Sequence, residues 1–333
     1  MQPQVSIVVP AYNAETYLRQ CMDALVGQTL QSIEIIAVDD GSTDNTGAIL
    51  AAYAARDSRV RVITKENSGY GASVNRGMRE ARGEYVGIIE SDDWPQLHMF
   101  EKLYRVAKRN DCDLVKCDFF DTYETGESKR RNLRGFPYGR VFDTMELPRT
   151  VCIVASPWAA LYRRSMLEQN EVRCLETPGA AFQDTGLSLK ALFSARRCEF
   201  VREPLVHYRR DNEAASTNSR DKALAVCGEF AEVWRYLADR PQLEACFAPW
   251  MSVKIWRTYA WNYGRIAPEL REGFLQQVRD EFLQMAAQEK LGYDLFEPFE
   301  IERVATLLEV GPKAFAELYP EGYEEEGEPD GRA

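Results

Sequence analysis

Four short runs rich in valine and isoleucine alternate with helical patterns over the first ninety residues, and this alternation constrains the fold most. Near-continuous apolar content is typical of strands buried on both faces, as in a parallel sheet. Repeated strand–helix units predict an α/β fold with helices on a mostly parallel sheet. The four runs and the three helical stretches between them occupy residues 5–12, 14–27, 33–40, 43–56, 59–64, 70–81 and 84–90.

The remainder of the chain changes character twice. A helix at 97–110 and a strand at 113–124 precede the polar, basic stretch 125–140, which we predict to be a mobile loop. Residues 151–212 carry a second mixed portion, whereas the chain beyond about residue 220 is helical. Two helical faces are apolar there: Ala223, Val226, Phe230, Val233 and Leu237, then Phe274, Val278, Phe282 and Met285.

Charge and cysteine content exclude several classes of protein. The net charge of -11 leaves no excess of basic residues to neutralise phosphates, so we expect no nucleic-acid partner. Eight cysteines without CxxC spacing and two histidines do not indicate a zinc site. The N-terminus lacks the pattern of a signal peptide, and no apolar run approaches the roughly 18 residues of a spanning helix. We therefore expect a cytoplasmic protein whose thiols are mostly core residues.

Polar residues follow all four strands, at 10–13, 39–42, 65–67 and 90–93. Because the carboxyl ends of parallel strands meet at one edge of a sheet, these residues are expected to build a ligand site. Glu90, Asp92 and Asp93 would repel one another unless they face water, a cation or hydroxyl groups. Solvated acids at a strand end are the alternative. We favour Mn²⁺ or Mg²⁺ shared between carboxylates and a diphosphate.

The segment 69–77, GYGASVNRG, opens with a G-x-G pattern that could indicate a dinucleotide site. It lacks a third glycine at the required spacing and follows the third strand instead of the first. No P-loop pattern occurs in the chain either. The sequence therefore does not favour NAD binding or P-loop phosphate transfer.

Five segments together resemble family 2 glycosyltransferases of the GT-A fold. The resemblance covers about residues 1–212, and its first two segments are highly specific in combination. It implies an inverting enzyme of the hexosyltransferase type that moves a sugar from a nucleotide-diphosphate donor, UDP-linked by preference, to a hydroxyl of a glycan or glycolipid. Synthesis of a cell-surface polysaccharide is the expected setting. The segments are 5–46, 65–94, 157–176, 182–195 and 204–210.

The resemblance also implies roles on the donor side. Pro10 and Tyr12 would line the base, with Tyr12 stacked on it. Asp39 or Asp40, the latter by preference, would accept a hydrogen bond from a uracil-type N3–H. The open alternatives are a core aromatic for Tyr12 and a turn and helix-cap role with Ser42 and Thr43 for the Asp pair. Asn75 would contact the nucleotide, or else be a solvated helix position.

The acidic motif of the family corresponds to Asp92 and Asp93, which are expected to bind the metal and the ribose hydroxyls. Asp92 is the preferred metal ligand and also a donor contact. Glu90 stands where aspartate is common, so its direct role is in doubt. Arg209 would grip the diphosphate, because a guanidinium group can bind it through two hydrogen bonds. A solvated basic loop is the alternative for Arg209.

On the acceptor side, Asp184 is the expected catalytic base, with a helix N-cap as a compatible alternative. Gln183 replaces the glutamate usual in the family and is assigned to the acceptor. Trp158 is either an acceptor-sugar platform or a buried anchor. His207 is expected to be structural.

Four predicted regions follow: 1–125 as the nucleotide-sugar-binding half, 126–215 as the acceptor-binding half, 216–320 as a helical region and 321–333 as an acidic disordered tail. The aromatic cluster at 250–263 either packs a helical core or lies at a membrane interface, which would suit a lipid-linked acceptor. The helical region is also a candidate surface for homo-oligomer contacts. Rival functions are a non-catalytic nucleotide-sugar binder and, less favoured, a sugar nucleotidyltransferase.

Overall fold

The computed structural model describes residues 2–212 and 222–320; the predicted tail at 321–333 lies outside this range. Ten strands and eleven α-helices occur in the described part of the chain. Their order is β1 Val5–Ala11, α1 Leu18–Val26, β2 Ile33–Asp39, α2 Thr46–Arg56, β3 Val60–Thr64, α3 Tyr70–Glu80, β4 Tyr85–Ile88, β5 Trp94–Pro95, α4 Met99–Arg109, β6 Leu114–Tyr123, β7 Gly126–Arg130, β8 Val141–Phe142, β9 Ala160–Arg163, α5 Arg164–Gln169, α6 Gln183–Ser194, β10 Cys198–Arg209, α7 Ala225–Ala238, α8 Pro241–Arg265, α9 Pro268–Ala287, α10 Pro298–Ala305 and α11 Pro312–Leu318.

One mixed sheet organises the first 212 residues. Its strand order is β3-β2-β1-β4-β9-β6-β10-β5, with β7 paired to β6 and β8 paired to β10. The first four strands are parallel, β9 runs antiparallel to both neighbours, and β10 is parallel to β6. The predicted α/β class with a helical C-terminal region is confirmed. The helices that cross between the parallel strands cover both faces of the sheet.

Each face of the sheet packs against its own hydrophobic core. Along β1, Val5, Ile7 and Val9 belong to one core and Val8 to the other, as strand alternation requires. Because every residue of β1 is buried, its sequence is apolar throughout instead of alternating. The carboxyl ends of the parallel strands therefore form one edge, where polar residues gather.

Close backbone approach explains the glycine-rich segment 69–77. A Cβ atom on Gly71 would lie 2.2 Å from the carbonyl oxygen of Leu175, and one on Gly77 would lie 2.3 Å from Cγ1 of Val8. Gly69 has a positive φ of 96°, and a Cβ atom added there would lie similarly close to the backbone of Thr177 and Gly179. The glycines thus bring helix α3 onto the sheet and onto the 174–179 loop.

Substitution of Gly71 by alanine is expected to lower the free energy of unfolding by about 1–3 kcal/mol, because the backbone of Leu175 must move. Gly273 in α9 is the matched control, since nothing lies within 4 Å of an added Cβ there. Gly273→Ala should stabilise by about 0.5–1 kcal/mol through helix propensity. Urea denaturation followed by circular dichroism measures both; equal stability of Gly71→Ala and wild type would contradict the packing argument.

Two local predictions are wrong. Helix α2 begins at Thr46, after the predicted Ser42-Thr43 cap, and the Asp44 carboxylate accepts the Thr46 amide at 2.9 Å. The predicted loop 125–140 contains strand β7 and is held by Leu133, which is fully buried and donates its amide to Asp118 at 3.0 Å. The Tyr138 hydroxyl donates to the same carboxylate at 2.9 Å.

The chain divides into two compact units. The first, which we call the sheet unit, comprises Met1–Leu147 and Ile153–Ala214; the second, the helical unit, comprises Pro148–Cys152 and Ala215–Ala333. The short 3₁₀ helix Pro148–Cys152 is thus a part of the helical unit that the sequence did not predict. The four predicted regions remain predictions.

Aromatic residues of α8 pack the core of the helical unit. Trp256, Tyr259 and Tyr263 are buried, and the Trp256 ring meets Phe282 edge-to-face with centroids 5.6 Å apart. Trp261, in contrast, is 45% exposed. The two predicted apolar faces are buried in α7 and α9, so the core alternative is correct for most of the cluster. Across the described residues, no helix combines the length and apolar character needed to cross a membrane.

A half-buried carboxyl, that of Glu281, is expected to make the stability of the helical unit depend on pH. Burial raises the pKa of Glu281, whose carboxylate accepts the Tyr259 hydroxyl and the Gln277 amide. Because the folded pKa is raised, the stability that Glu281 contributes is complete below its unfolded pKa of 4.5 and is lost as pH rises through the folded value. Glu281→Gln should therefore flatten the fall in unfolding free energy above pH 4.5 in urea titrations. The exposed Glu272→Gln on the same helix should leave the slope unchanged.

Candidate functional site

The loops after β1 and β2 are fastened to each other at the edge of the sheet. Asn13, in the left-handed region with φ of 48°, accepts the Thr43 amide at 2.8 Å and donates its own amide to Ser42 Oγ at 3.0 Å. This turn leaves Tyr12 51% exposed, while Pro10 is buried within β1. The Tyr12 ring is therefore available for stacking on a planar ligand.

Both aspartates at the end of β2 are buried and hydrogen bonded. Asp39 accepts the Ser42 amide at 3.0 Å, which closes the turn after the strand. Asp40 accepts the amides of Ser68 and Gly69 at 3.0 and 2.9 Å and pairs with Lys65. The alternative of a turn and helix-cap role with Ser42 and Thr43 is therefore partly correct. Asp39 closes the turn at Ser42, whereas Asp40 accepts amides at the start of α3. Their expected contact with a base remains a prediction.

Three carboxylates follow β4, as the sequence indicates, but their surroundings differ. Glu90 accepts the Tyr70 hydroxyl at 2.6 Å, and Asp92 accepts the Asn212 amide group at 2.7 Å. Asp93 is fully buried; one of its oxygens accepts the Arg209 backbone amide at 2.8 Å, and its Oδ2 has no hydrogen-bond partner among the described residues. These acids are not simply solvated at a strand end.

A fourth acid, Asp184, lies at the start of α6, far along the chain from the three carboxylates that follow β4. Burial raises the pKa of Glu90 to about 8, and the charges of Asp92 and Asp184 add to the rise. Burial likewise raises the pKa of Asp93, with Asp92 and Glu90 adding to it. Asp184 is partly exposed and also accepts the Thr185 amide at 2.8 Å. Four acids from two distant segments thus share one electrostatic environment, which we call the acid cluster.

Two tyrosines border the acid cluster. Tyr70 contacts Glu90, and burial together with the charges of Glu90 and Asp184 raises its pKa. Burial raises the pKa of Tyr208 to about 12, and Asp93, Asp184 and Asp92 contribute. Both hydroxyl groups therefore stay protonated at neutral pH and are available as donors to the carboxylates or to a ligand.

Arg209 holds the loop of the acid cluster in place. Its Nε donates to the Asp92 carbonyl at 3.0 Å and its NH2 to Gln20 at 2.5 Å. The guanidinium carbon lies 4.2 Å from the Tyr17 ring centre and 4.8 Å from that of Trp94. With 11% of its side chain exposed, Arg209 is not part of a solvated loop. Its expected contact with a diphosphate remains a prediction.

The acid cluster offers carboxylate oxygens, which are ligands that a divalent cation prefers. Among residues 2–212 and 222–320, no three acidic, histidine or cysteine side chains converge as a metal-binding group. The described residues therefore do not form a closed metal cage by themselves. Mg²⁺ and Mn²⁺ are commonly held by one or two carboxylates and completed by phosphate and water. The partly exposed Asp92 and the unpartnered Oδ2 of Asp93 fit that type of site.

Two other predicted residues, Asn75 and Gln183, are held by contacts within the protein. Asn75 is buried, not solvated. Its side chain donates to the Cys174 carbonyl and accepts the Cys174 amide, both at 2.9 Å, and it also donates to Glu176. Gln183 is buried and bonds the Thr177 hydroxyl at 2.8 Å and the Ala181 amide at 2.6 Å. Both amides therefore shape the 174–181 loop; their roles toward nucleotide and acceptor remain predictions.

Trp158 and His207 are structural in this fold. Trp158 is 5% exposed, stacks on Tyr208 at 4.9 Å and meets Phe119 edge-to-face at 4.6 Å. Because the ring has so little free surface, the platform prediction is corrected to a buried anchor. His207 lies between the rings of Trp94 and Phe120 at 4.8 and 4.6 Å.

Sequence reasoning missed Tyr70, Tyr208 and Asn212 as members of the site. Tyr70 is the first residue of α3 and Tyr208 lies within β10, and a tyrosine in a helix or strand gives no functional signal of its own. Asn212 lies three residues after the end of β10 at Arg209, and the pairing of β10 with β5 brings it to Asp92.

Comparisons with known proteins show what the chain is similar to. The profile described as "Glycosyl transferase family 2" matches residues 6–170. The "Uncharacterized glycosyltransferase EpsJ" of Bacillus subtilis is 34% identical over 215 residues, which are 63% of this chain and 62% of that protein. The chain thus spans about three fifths of the length of such relatives.

Solved structures extend the likeness of the fold to the helical unit. S. aureus TarS 1-349 in complex with UDP-GlcNAc has a TM-score of 0.74 at 17% identity, covering 94% of this chain and 89% of its own. The mannosyltransferase PcManGT from Pyrobaculum calidifontis, in complex with GDP-Man and Mn²⁺, has a TM-score of 0.53 at 17% identity, covering 95% and 86%. At these identities the likeness concerns the fold alone.

Proposed function

We propose that the chain, whose residues 6–170 match the model of glycosyltransferase family 2, is an enzyme of that family. In this proposal it transfers a sugar from a nucleotide-diphosphate donor to an acceptor hydroxyl with inversion at the sugar carbon. The observation that carries the proposal is the acid cluster, in which the charge of Asp184 acts on Glu90, the first of the carboxylates after β4. TarS binds UDP-GlcNAc and PcManGT binds GDP-Man in their structures, which supports a nucleotide-sugar donor. We favour a UDP-linked sugar.

The donor is expected to bind along the ends of β1, β2 and β4. The exposed Tyr12 stacks on the base, and Asp40 accepts a hydrogen bond from it while Lys65 and the start of α3 hold the carboxylate in place. Asp92 and Asp93 would hold a divalent cation. When bound, the cation offsets the charge of the diphosphate and stabilises it as a leaving group.

Asp184 acts as the base in this proposal. It takes the proton from the acceptor hydroxyl oxygen while that oxygen attacks the sugar carbon from the face opposite the diphosphate. It lies in the first turn of α6 and is partly exposed, which supports access by an incoming hydroxyl. The partly buried pair of Tyr70 and Glu90 lies within the range of its charge.

A thermal-shift panel tests the proposal. Uridine, guanosine and thymidine diphosphate sugars are each added with and without Mn²⁺, and hydrolysis of the donor is measured in parallel. We expect stabilisation by one donor class that depends on Mn²⁺, together with hydrolysis above background. Stabilisation without hydrolysis or transfer would favour the non-catalytic binder, and no response to any donor would overturn the proposal.

A further inference from the structure

The end of strand β10 contacts both aspartates that are expected to hold the cation. The backbone amide of Arg209 donates to Asp93 Oδ1 at 2.8 Å, and its side-chain Nε donates to the Asp92 carbonyl at 3.0 Å. Three residues further along the chain, the Asn212 side chain donates to Asp92 Oδ2 at 2.7 Å. We call Arg209 and Asn212 the β10 clasp, because together they bind the backbone and the side chains of the two acids.

The β10 clasp leaves one oxygen of each acid available. Oδ2 of the fully buried Asp93 has no hydrogen-bond partner among the described residues, and none of them donates to Asp92 Oδ1. A buried carboxylate oxygen without a partner is costly, and a cation would offset that cost. Mg²⁺ and Mn²⁺ are commonly bound through one or two carboxylates, with phosphate and water completing the shell. The clasp thus determines which two oxygens remain for a cation.

The side chain of Arg209 is itself fixed by other parts of the sheet unit. Its NH2 donates to Gln20 of α1 at 2.5 Å, and its NH1 lies 3.8 Å from Asp211 Oδ1. The guanidinium carbon lies 4.2 Å from the ring centre of Tyr17 and 4.8 Å from that of Trp94. Because most of its polar groups contact the protein and only 11% of the side chain is exposed, Arg209 has little capacity left for a ligand.

Helix α1 also holds the first residue of the loop 90–93. The Cys21 thiol donates to the Glu90 carbonyl at 3.4 Å, and the Asp93 amide donates to the same carbonyl at 3.1 Å. The carbonyl of Asp92 is bound by Arg209, as described above. The backbone of the loop is therefore held from α1 at one end and from β10 at the other.

We infer that the two residues of the β10 clasp are positioning residues, which fix Asp92 and Asp93 for binding of a divalent cation. The inference rests on the proposed function and names the residues that set the metal affinity of its site. Neither clasp residue is a ligand of the cation or of the diphosphate in this inference. Lysine cannot replace Arg209, because an ammonium group lacks the planar fork that reaches the Asp92 carbonyl and Gln20 together.

Metal affinity provides the first test. R209K keeps the charge and removes the Nε donor, whereas N212A removes only the donor to Asp92 Oδ2. In each variant the Mn²⁺ concentration that gives half of the thermal stabilisation at saturating UDP should rise by about 10- to 100-fold. R56K is the matched control, since Arg56 also lies over a tyrosine ring, that of Tyr53 at 3.8 Å, and should leave this concentration unchanged.

Hydrogen exchange of the protein without metal or donor provides the second test. In R209K the peptide that covers residues 90–95 should exchange about fivefold to tenfold faster than in the wild type, because the loop loses a hydrogen bond to its backbone. The same peptide should exchange at the wild-type rate in R56K. Melting temperatures without ligands show whether each variant is folded, and N212A alone decides the inference if R209K is not.

Three results would overturn the inference. The first is a wild-type Mn²⁺ requirement in the folded clasp variants. The second is weaker binding of UDP to R209K in the presence of EDTA with unchanged exchange of the loop, which would assign Arg209 to the diphosphate. The third is an equal loss of Mn²⁺ affinity in R56K. A wild type that binds Mn²⁺ and UDP but neither hydrolyses nor transfers the sugar would contradict the proposed function alone, because neither test depends on catalysis.

Discussion

Replacement of Asp184 by asparagine is expected to lower the rate of sugar transfer by roughly 10²- to 10⁴-fold, the usual contribution of a general base. Asparagine keeps the size and hydrogen-bonding shape of the side chain but cannot take a proton from the acceptor hydroxyl. Donor affinity should change little, because the donor is expected at the ends of β1, β2 and β4. Initial rates of transfer and titration with UDP and Mn²⁺ measure the two quantities.

A first-turn carboxyl on another helix provides the control for the Asp184 variant. Glu101 lies in the first turn of α4 and bonds Thr29 and Arg105 at the surface. Glu101→Gln should leave both transfer and donor affinity at wild-type values. If Asp184→Asn transferred sugar at the wild-type rate, Asp184 would not be the base, and a neighbouring group such as Glu90 would have to be considered.

Replacement of Asp92 by asparagine is expected to abolish the stabilisation that Mn²⁺ adds to donor binding. At a donor concentration one hundred times the dissociation constant, a bound ligand stabilises a folded protein by about 2.7 kcal/mol. The variant should lose most of this stabilisation, because the partly exposed Asp92 carboxylate is the expected metal ligand. Urea denaturation with UDP, in the presence and absence of Mn²⁺, measures the loss.

Ser91→Ala is the neighbouring control for Asp92→Asn, because it alters the same loop and leaves every carboxylate in place. It should retain the Mn²⁺ response of the wild type. A wild-type response in Asp92→Asn would remove Asp92 from the metal site and leave the buried Asp93, whose Oδ2 lacks a partner among the described residues, as the remaining candidate.

Local sequence patterns predicted the strands and helices of the sheet unit well where burial is uniform. The predicted strands 5–12 and 33–40 correspond to Val5–Ala11 and Ile33–Asp39, since valine and isoleucine leave few alternatives in a sheet covered on both sides. Loop 125–140 was misjudged because its anchor, Leu133 on Asp118, depends on a residue of another strand. Charge and polarity in a short window do not reveal such a partner.

The sequence by itself determined the class of fold and the polar ends of the parallel strands, because hydrophobic periodicity and strand direction are local properties. Only the tertiary structure decided which polar groups come together. It placed Asp184 where its charge acts on Glu90, joined the Arg209 guanidinium to the Asp92 carbonyl, and buried Trp158 in the core. Burial and the field of neighbouring charges set the pKa of Glu90 and Tyr208, and both depend on residues far apart in the chain.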